Sequence, residues 1–150
     1  MDLHVQESVE VGRPVDEVFA YVADPENSKE WSATIMDIRQ DRPGPLQGVG
    51  DRFDLSQRFL GRSMQVPQEV VAFEPGRSYT LRTTDGPIQM TTSWACEPST
   101  EGSRVTATFD GSAGTFFSLV GPILERAVRR QVRSDLETLK DLLESRGSAG

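Results

Sequence analysis

The sequence predicts an α+β fold in which a curved antiparallel sheet wraps around one long C-terminal helix, with two short helices after the first strand. Three observations predict it. Apolar residues recur at helical spacing through residues 115–144, alternation dominates the segments between residues 35 and 109, and short turns separate those segments. Such turns join antiparallel neighbours. The chain of 150 residues is expected to form one domain over residues 1–146, with residues 147–150 as a frayed tail.

The N-terminal part of the chain predicts one strand and two short helices. Residues 3–11 alternate between apolar and polar side chains, as half-buried strands do, and Glu7 puts a charge on the apolar face. The apolar residues of 14–22 recur at helical spacing behind an initial proline, which suits the first turn of a helix. An Asp-Pro pair ends this helix, and a second short helix is predicted over residues 25–31, with Trp31 as its apolar anchor.

Alternation then predicts six further strands, joined by turns that contain glycine or proline. They cover residues 35–39, 53–59, 64–73, 79–83, 88–96 and 105–109. Pro67 lies inside the third of these segments. Because proline cannot donate a ladder hydrogen bond, we expect an edge strand or a bulge at that point. Residues 111–114 are the expected hinge into the last helix.

The C-terminal helix has an apolar side and a charged side. The apolar side consists of Phe116, Val120, Ile123, Leu124, Ala127, Val128, Val132, Leu136, Leu139 and Leu143. The opposite side carries Arg126, Arg129, Arg130, Arg133, Glu137, Lys140, Asp141 and Glu144. The pair Gly121-Pro122 either kinks the helix or marks its true start, with residues 116–120 as a preceding turn.

The charge and the cysteine content limit the classes of function that the protein can have. With 16 Lys and Arg against 23 Asp and Glu, the formal net charge is -7. This balance argues against a nucleic-acid partner, because phosphate binding needs clustered cations. The arginines of residues 126–133 are interpreted as a solvated helix face with local ion pairs. Cys96 is the single cysteine, and neither a signal peptide nor a membrane-spanning run is recognised, so we expect a cytoplasmic protein.

The order of these elements resembles the helix-grip fold of the START-like, birch-pollen-allergen-like (SRPBCC) superfamily. The chain is most similar to its bacterial polyketide cyclase/dehydrase and lipid-transport branch. The residues that carry the resemblance are 11–24, Trp31, 70–76, 102–106 and the final helix, and they cover nearly the whole chain. These segments are structural and contain no catalytic signature. The resemblance implies a sheet bent around the helix, enclosing an elongated, mostly apolar cavity for a hydrophobic small molecule.

Such a cavity should receive polar groups that interrupt otherwise apolar faces, and Glu7, Gln57, Gln131 and Asp135 do so in this sequence. If they line a pocket, they can orient a ligand carbonyl or hydroxyl, and Glu7 or Asp135 can act as a general base with a raised pKa. The alternative is that they face solvent at strand edges and helix ends. The hydroxyl of Tyr79 can donate to a ligand oxygen or lie at the edge of the core.

The expected cavity walls combine aromatic, aliphatic and thioether side chains with a few polar ones, and each also suits a simple core. They are Trp31, Phe53, Gln57, Met64, Tyr79, Leu81, Met90, Thr92, Trp94, Phe109, Phe116, Phe117, Val120, Leu124, Val128 and Gln131. His4, the single histidine, falls on the polar face of the first strand, and Cys96 is interpreted as a small buried hydrophobe. No metal site and no cofactor are therefore expected.

Three functions stay open. The first is a module that binds a polyketide, a lipid or an aromatic metabolite. The second is a cofactor-free polyketide cyclase or dehydratase, in which Glu7 or Asp135 moves protons. The third is a protein-interaction module similar to the family's co-chaperones, with residues 126–133 as the contact. The absence of an acid–base pair at a diagnostic spacing favours binding over catalysis. The expected partner is a small hydrophobic molecule, with a homodimer left open and no membrane insertion.

Overall fold

The fold is described from a computed structural model that covers residues 3–59, 61–85, 89–112 and 115–149. Side chains are described throughout these ranges except for residues 59, 112–121 and 147–149.

Within these residues the chain forms one antiparallel sheet and one long helix, with short helices between the first two strands. The strands are β1 (Leu3–Val11), β2 (Ile35–Gln40), β3 (Arg52–Phe59), β4 (Arg62–Glu74), β5 (Ser78–Thr83), β6 (Gln89–Ser99) and β7 (Gly102–Ser112). The helices are α1 (Val15–Val22), α2 (Ser28–Trp31) and α3 (Thr115–Ala149), and a 3₁₀ turn, Pro25–Asn27, precedes α2. The predicted α+β architecture is confirmed.

The sheet has seven strands in the order β1-β7-β6-β5-β4-β3-β2. Every neighbouring pair is antiparallel, and β2 to β7 follow one another as a meander. The first strand returns to pair with the last one along its whole length, from Leu3 opposite Gly111 to Val11 opposite Ser103. Because β1 and β2 lie at opposite edges of the sheet, the α1–α2 segment has to run from one edge to the other.

Local sequence explains the ends of the short helices. Pro14 occupies the N-cap of α1, where its missing N–H costs nothing, and acidic residues follow in the first turn. The side chain of Asp24 accepts a hydrogen bond from the Glu26 backbone N–H at 3.1 Å, which caps the 3₁₀ turn. These residues hold Trp31 at the end of α2, where it is buried.

The apolar side of α3 is buried as predicted along most of its length. Leu124, Val132, Leu136, Leu139 and Leu143 belong to the core, and Val128 packs partly against it. Among the described side chains of this side, Ile123 is the exposed one, since 73% of it is exposed. Adjacent helical residues point about 100° apart, and Leu124 is the one that faces the sheet.

The structure excludes one of the two alternatives for Pro122 and corrects the expectation for Pro67. Pro122 lies inside α3, which begins at Thr115, so the Gly-Pro pair does not mark the start of the helix. Pro67 lies in β4, which has a neighbour on each side, and the register shift in β4 falls between Val70 and Ala72. The pairing of β4 with β5 ends at Gln68, so the ladder needs no N–H from Pro67, and proline is tolerated at this position. The Pro67 carbonyl still accepts a hydrogen bond from the Thr84 backbone N–H at 3.0 Å.

The predicted hinge before α3 and the predicted end of α3 compare differently with the structure. Ala113 and Gly114 of the expected hinge lie outside the described residues. At the other end the helix continues to Ala149, beyond the segment 115–144 over which the sequence predicts it. No helix among the described residues combines the length and apolar character that crossing a bilayer requires.

The β6–β7 turn packs closely against the start of α1. Gly102 has φ +139°, and a Cβ at this position would lie 2.8 Å from the backbone N and O of Arg13 and from the carbonyl oxygen of Val11. The neighbouring Ser103 hydroxyl donates to the Arg13 carbonyl at 2.6 Å. Glycine is therefore needed here both for its backbone conformation and for space.

We expect Gly102→Ala to lower the free energy of unfolding by about 3 kcal/mol, because the backbone would be strained and the new methyl would meet main-chain atoms. Gly48→Ala is the matched control, since a Cβ there meets nothing within 4 Å. Urea unfolding measures both variants. Equal stability of the two variants would contradict the assigned packing.

Candidate functional site

A cavity of about 650 Å³ lies between the sheet, the α2–β2 segment and the first half of α3. Its described lining is Leu3, Val22, Pro25, Ser28, Trp31, Ser32, Thr34, Ile35, Leu46, Phe53, Leu55, Gln57, Arg62, Met64, Val66, Gln68, Tyr79, Leu81, Met90, Thr92, Trp94, Phe109, Leu124, Val128, Gln131, Val132 and Asp135. Most of these residues are apolar. The size falls in the range of small-molecule sites in proteins.

Strand alternation explains how the sequence builds this wall. Residues two apart on β3, β4, β5 and β6 point to the same face of the sheet, and that face lines the cavity. All the wall residues expected from the sequence whose side chains are described line it. Phe116, Phe117 and Val120 belong to α3, but their side chains lie outside the described residues.

Three aromatic rings form one side of the cavity. Trp31 and Trp94 meet edge to face, with ring centroids 5.0 Å apart. Trp94 and Phe109 make a second edge-to-face contact at 6.1 Å. Such contacts stabilise a fixed ring arrangement. They also join α2 to β6 and β7, so the rings hold the connecting segment against the sheet.

Asp135 is the carboxylate in the cavity wall, and it binds the α2–β2 junction to α3. Its Oδ2 accepts a hydrogen bond from the Ser32 hydroxyl at 3.0 Å. Its Oδ1 accepts from the Ala33 backbone N–H at 3.1 Å and from Gln131 Nε2 at 2.8 Å. Both oxygens are therefore held in a fixed orientation beside the cavity.

The hydrogen bonds continue from Asp135 across the cavity wall to β3. The hydroxyls of Ser32 and Thr34 are 3.4 Å apart, and Gln57 Nε2 donates to Thr34 Oγ1 at 3.3 Å. We call Ser32, Thr34, Gln57, Gln131 and Asp135 the polar cluster. It brings together three of the polar interruptions found in the sequence, although they come from β3 and α3.

Burial raises the pKa of the Asp135 carboxyl, and hydrogen bonds from Ala33, Gln131 and Ser32 oppose part of that rise. The residue is 9% exposed. Low exposure penalises the charged form, while the donors stabilise it. Asp135 is thus a carboxyl whose proton affinity is increased, placed where it can meet a molecule in the cavity.

Glu7 does not belong to the cavity lining. It lies under α3, where Oε1 accepts from Arg129 Nη1 at 3.1 Å and from Arg133 Nε at 2.7 Å. Alternation correctly predicted that Glu7 points inward from β1. The expectation that Glu7 lines the cavity is corrected, because its carboxylate binds two arginines of α3 instead. Glu7 joins β1 to the helix.

Tyr79 lines the cavity, but its hydroxyl is already used. It donates to the Val22 carbonyl at 3.0 Å, and burial raises the pKa of the phenol. The expectation that this hydroxyl donates to a ligand oxygen is therefore corrected. Tyr79 instead ties β5 to the end of α1 and presents its ring to the cavity.

Sequence reasoning missed several polar lining residues on β4 and on the segment after α2. Arg62 and Gln68 share the cavity face of β4 with Met64, which alternation alone would have indicated once Met64 was assigned to the wall. Ser32 and Thr34 lie between two elements and follow no period. Their positions depend on Asp135, so no local signal could have found them.

The remaining reactive groups lie away from this chemistry. Cys96 is buried, and burial raises the pKa of its thiol to about 12. His4 is exposed on β1 and pairs with Asp110. Among the described residues, no group of three or more His, Cys, Asp or Glu is placed to hold a metal ion.

The pH dependence of stability should carry the signature of Asp135. Because its folded-state pKa is raised above its ordinary value of 3.8, the protonated carboxyl contributes stability at low pH, and this contribution is lost as pH rises through the folded value. We therefore expect the stability of the unmodified protein relative to Asp135→Asn to increase on acidification. Urea unfolding across the acidic range tests this.

Ser134→Ala is the control for this measurement, since it changes the same helix without removing an ionisable group. Its stability difference from the unmodified protein should be the same at every pH. If the stability difference between the unmodified protein and Asp135→Asn is also the same at every pH, or decreases on acidification, the assignment of a raised pKa to Asp135 is wrong.

Solved structures with the same architecture are numerous. The Zhui aromatase/cyclase from a Streptomyces species is similar with 19% identity and a TM-score of 0.80, over 97% of this chain and 96% of that one. The di-domain ARO/CYC StfQ from the steffimycin biosynthetic pathway gives 15% identity and 0.78, over 99% of this chain and 52% of that one. A protein from Nitrosomonas europaea gives 19% and 0.75, over 97% of both chains.

These identities show a shared fold. No curated protein sequence gives a significant match. The family model described as polyketide cyclase / dehydrase and lipid transport matches residues 2–144, which include every described residue of the cavity wall. The chain therefore belongs to the polyketide cyclase/dehydrase and lipid-transport family.

Proposed function

We propose that this protein binds a small, mostly apolar molecule in its internal cavity and orients it through the polar cluster. The observation that carries the proposal is a cavity of about 650 Å³ with aromatic and aliphatic walls and a hydrogen-bonded polar cluster on one side. Sites that bind small molecules combine an apolar lining with a few well-placed polar groups. A polyketide, a lipid or an aromatic metabolite has this chemistry.

Two further lining residues offer polar groups to a ligand. The Gln68 carboxamide and the Thr92 hydroxyl make no side-chain hydrogen bond within the described part of the chain. Both residues are buried. Because both residues line the cavity, a ligand oxygen there can form hydrogen bonds with these groups. This favours an oxygenated ligand over a plain hydrocarbon.

The size and rigidity of the aromatic side also support a ligand with flat or unsaturated groups. Trp31, Trp94 and Phe109 present fixed ring edges and faces to the cavity. Rings stack or meet edge to face with other π systems, which adds to the hydrophobic contribution. Two similar structures are described as aromatase/cyclases, and a conjugated ligand fits the same chemistry.

A cavity-filling substitution tests the binding function. We expect Val128→Phe to weaken binding of the fluorescent probe anilinonaphthalene sulfonate at least about tenfold, because the added ring occupies space that a ligand needs. Ile123→Phe is the matched control, since Ile123 is exposed on the same helix and does not line the cavity. Fluorescence titration measures the affinity, and native mass spectrometry of protein from its own host detects a retained ligand.

Thermal unfolding shows whether Val128→Phe and Ile123→Phe differ in stability. If Val128→Phe is folded and binds the probe as tightly as Ile123→Phe does, the cavity is not the binding site. Probe affinity lost equally in both variants would contradict the proposal as well.

A second candidate function is catalysis by Asp135, because it is the carboxyl of raised pKa in the cavity wall. As a carboxylate it would accept a proton from a carbon between two carbonyl groups. As an acid it would protonate a hydroxyl that leaves as water. Such proton transfers are the steps of a cofactor-free cyclase or dehydratase, and a carboxyl of raised pKa suits them near neutral pH. The bonds from Ser32 and Ala33 would fix its direction.

We expect Asp135→Asn to lower turnover of a poly-β-keto thioester analogue by about 10²-fold or more while probe binding persists, because the amide cannot transfer the proton. Appearance of aromatic absorbance measures turnover. Glu7→Gln is the control, because Glu7 lies outside the cavity and its substitution should leave turnover unchanged. Unchanged turnover in Asp135→Asn would exclude this function without affecting the binding proposal.

A further inference from the structure

Polar groups with unused hydrogen-bonding capacity occur at two separate places in the cavity wall. One place is the polar cluster, where the carboxamide oxygens of Gln57 and Gln131 accept no hydrogen bond from the described residues. The other is Gln68 on β4, which is buried, lines the cavity and makes no side-chain hydrogen bond within the described part of the chain. A ligand oxygen can therefore be bound at either place.

The strand register sets the separation of the two places. Gln57 on β3 lies opposite Met64 on β4, and Gln68 follows Met64 by four residues on the same strand. At about 3.4 Å per residue, four residues span about 13 Å. Leu55 and Val66 lie opposite each other between these two levels, and both line the cavity. An apolar stretch of wall thus separates the polar cluster from Gln68.

The Gln68 carboxamide does not use the nearest side chain that could bind it. Thr83 lies directly opposite Gln68 on β5, and its hydroxyl is buried without a hydrogen-bond partner among the described residues. Residues opposite each other in an antiparallel pair lie on the same face, with Cβ atoms about 5 Å apart. Since the two side chains make no hydrogen bond, the carboxamide of Gln68 stays available to a molecule in the cavity.

We infer that the ligand is an elongated molecule with an oxygen-bearing polar group near each end and an apolar chain or ring system between them. One polar group binds the carboxamides of the polar cluster, and the other binds Gln68. The apolar middle lies along the wall formed by Leu55 and Val66. This inference rests on the proposed binding function and names the class of ligand for the same cavity.

Two polar groups are favoured over one because both carboxamide places need a partner when a ligand covers them. A ligand that covers a carboxamide without bonding to it removes the hydrogen bonds that water would make, which lowers affinity. A hydrocarbon has this disadvantage at both places, and a molecule with a single polar group has it at one. The cavity is therefore selective for the number of polar groups and for the length between them.

Two alcohols that compete with anilinonaphthalene sulfonate test the inference. The first, 1,10-decanediol, has a hydroxyl at each end of a chain whose extended length suits the separation, and the second, 1-decanol, has one hydroxyl. We expect Gln68→Met and Gln57→Met/Gln131→Met each to weaken diol binding about fivefold or more, because methionine has a similar volume but cannot replace the hydrogen bonds. A single hydroxyl can move to the remaining place, so no more than one of these variants should weaken binding of 1-decanol.

Gln65→Met is the matched control, since Gln65 is exposed on the same strand and bonds to Ser56 outside the cavity. Its affinity for both alcohols should stay within about twofold of the unmodified protein, because neither place is changed. The affinity of each variant for the probe is measured first, and thermal unfolding shows whether each variant is folded.

Three outcomes would overturn this inference while leaving the proposed binding function intact. They are unchanged diol binding in Gln68→Met, equal weakening of both alcohols by both cavity variants, and failure of the diol to displace a bound probe. Probe binding that Val128→Phe leaves unchanged would instead overturn the proposed binding function, and this inference with it.

Discussion

The placement of α3 against the sheet is the constraint on which the cavity depends. In its second half the helix is held closely, since Leu136, Leu139 and Leu143 are fully buried and Glu144 accepts from the Gly12 backbone N–H at 2.8 Å. In its first half, the residues that face the sheet, from Leu124 to Asp135, line an open space. The closely packed second half fixes the direction of the helix. The first half can then form one wall of a cavity that side chains do not fill.

Asp135 lies where these two halves meet and serves both the fold and the chemistry. Its carboxyl binds Ser32 and Ala33, which hold the α2–β2 junction, and it also reaches Gln131 on its own helix. A buried carboxylate is costly unless donors surround it, and here the donors belong to two elements that must come together. The same bonds that hold the junction therefore fix a proton-binding group in the cavity wall.

Alternation and helical periodicity were sufficient to assign about half of the described cavity wall, because a strand position decides which face a side chain occupies. Gln57, Met64, Leu81 and Thr92 were found in this way and do line the cavity. Glu7 shows the limit of the method. It points inward as expected, but the arginines that bind it are more than a hundred residues away along the chain, and no local pattern reveals them.

By itself, the sequence determined the element order, the antiparallel meander, the apolar side of α3 and the identity of the polar residues that interrupt apolar faces. These follow from local periodicity, which depends only on neighbouring residues. Only the tertiary structure decided which interruptions meet. Gln131 and Asp135 join Ser32 and Thr34 because α3 crosses the α2–β2 junction, while Glu7 pairs with Arg129 and Arg133 of the same helix. The difference arises because contacts between distant segments depend on how whole elements cross, and a local pattern carries no information about that crossing.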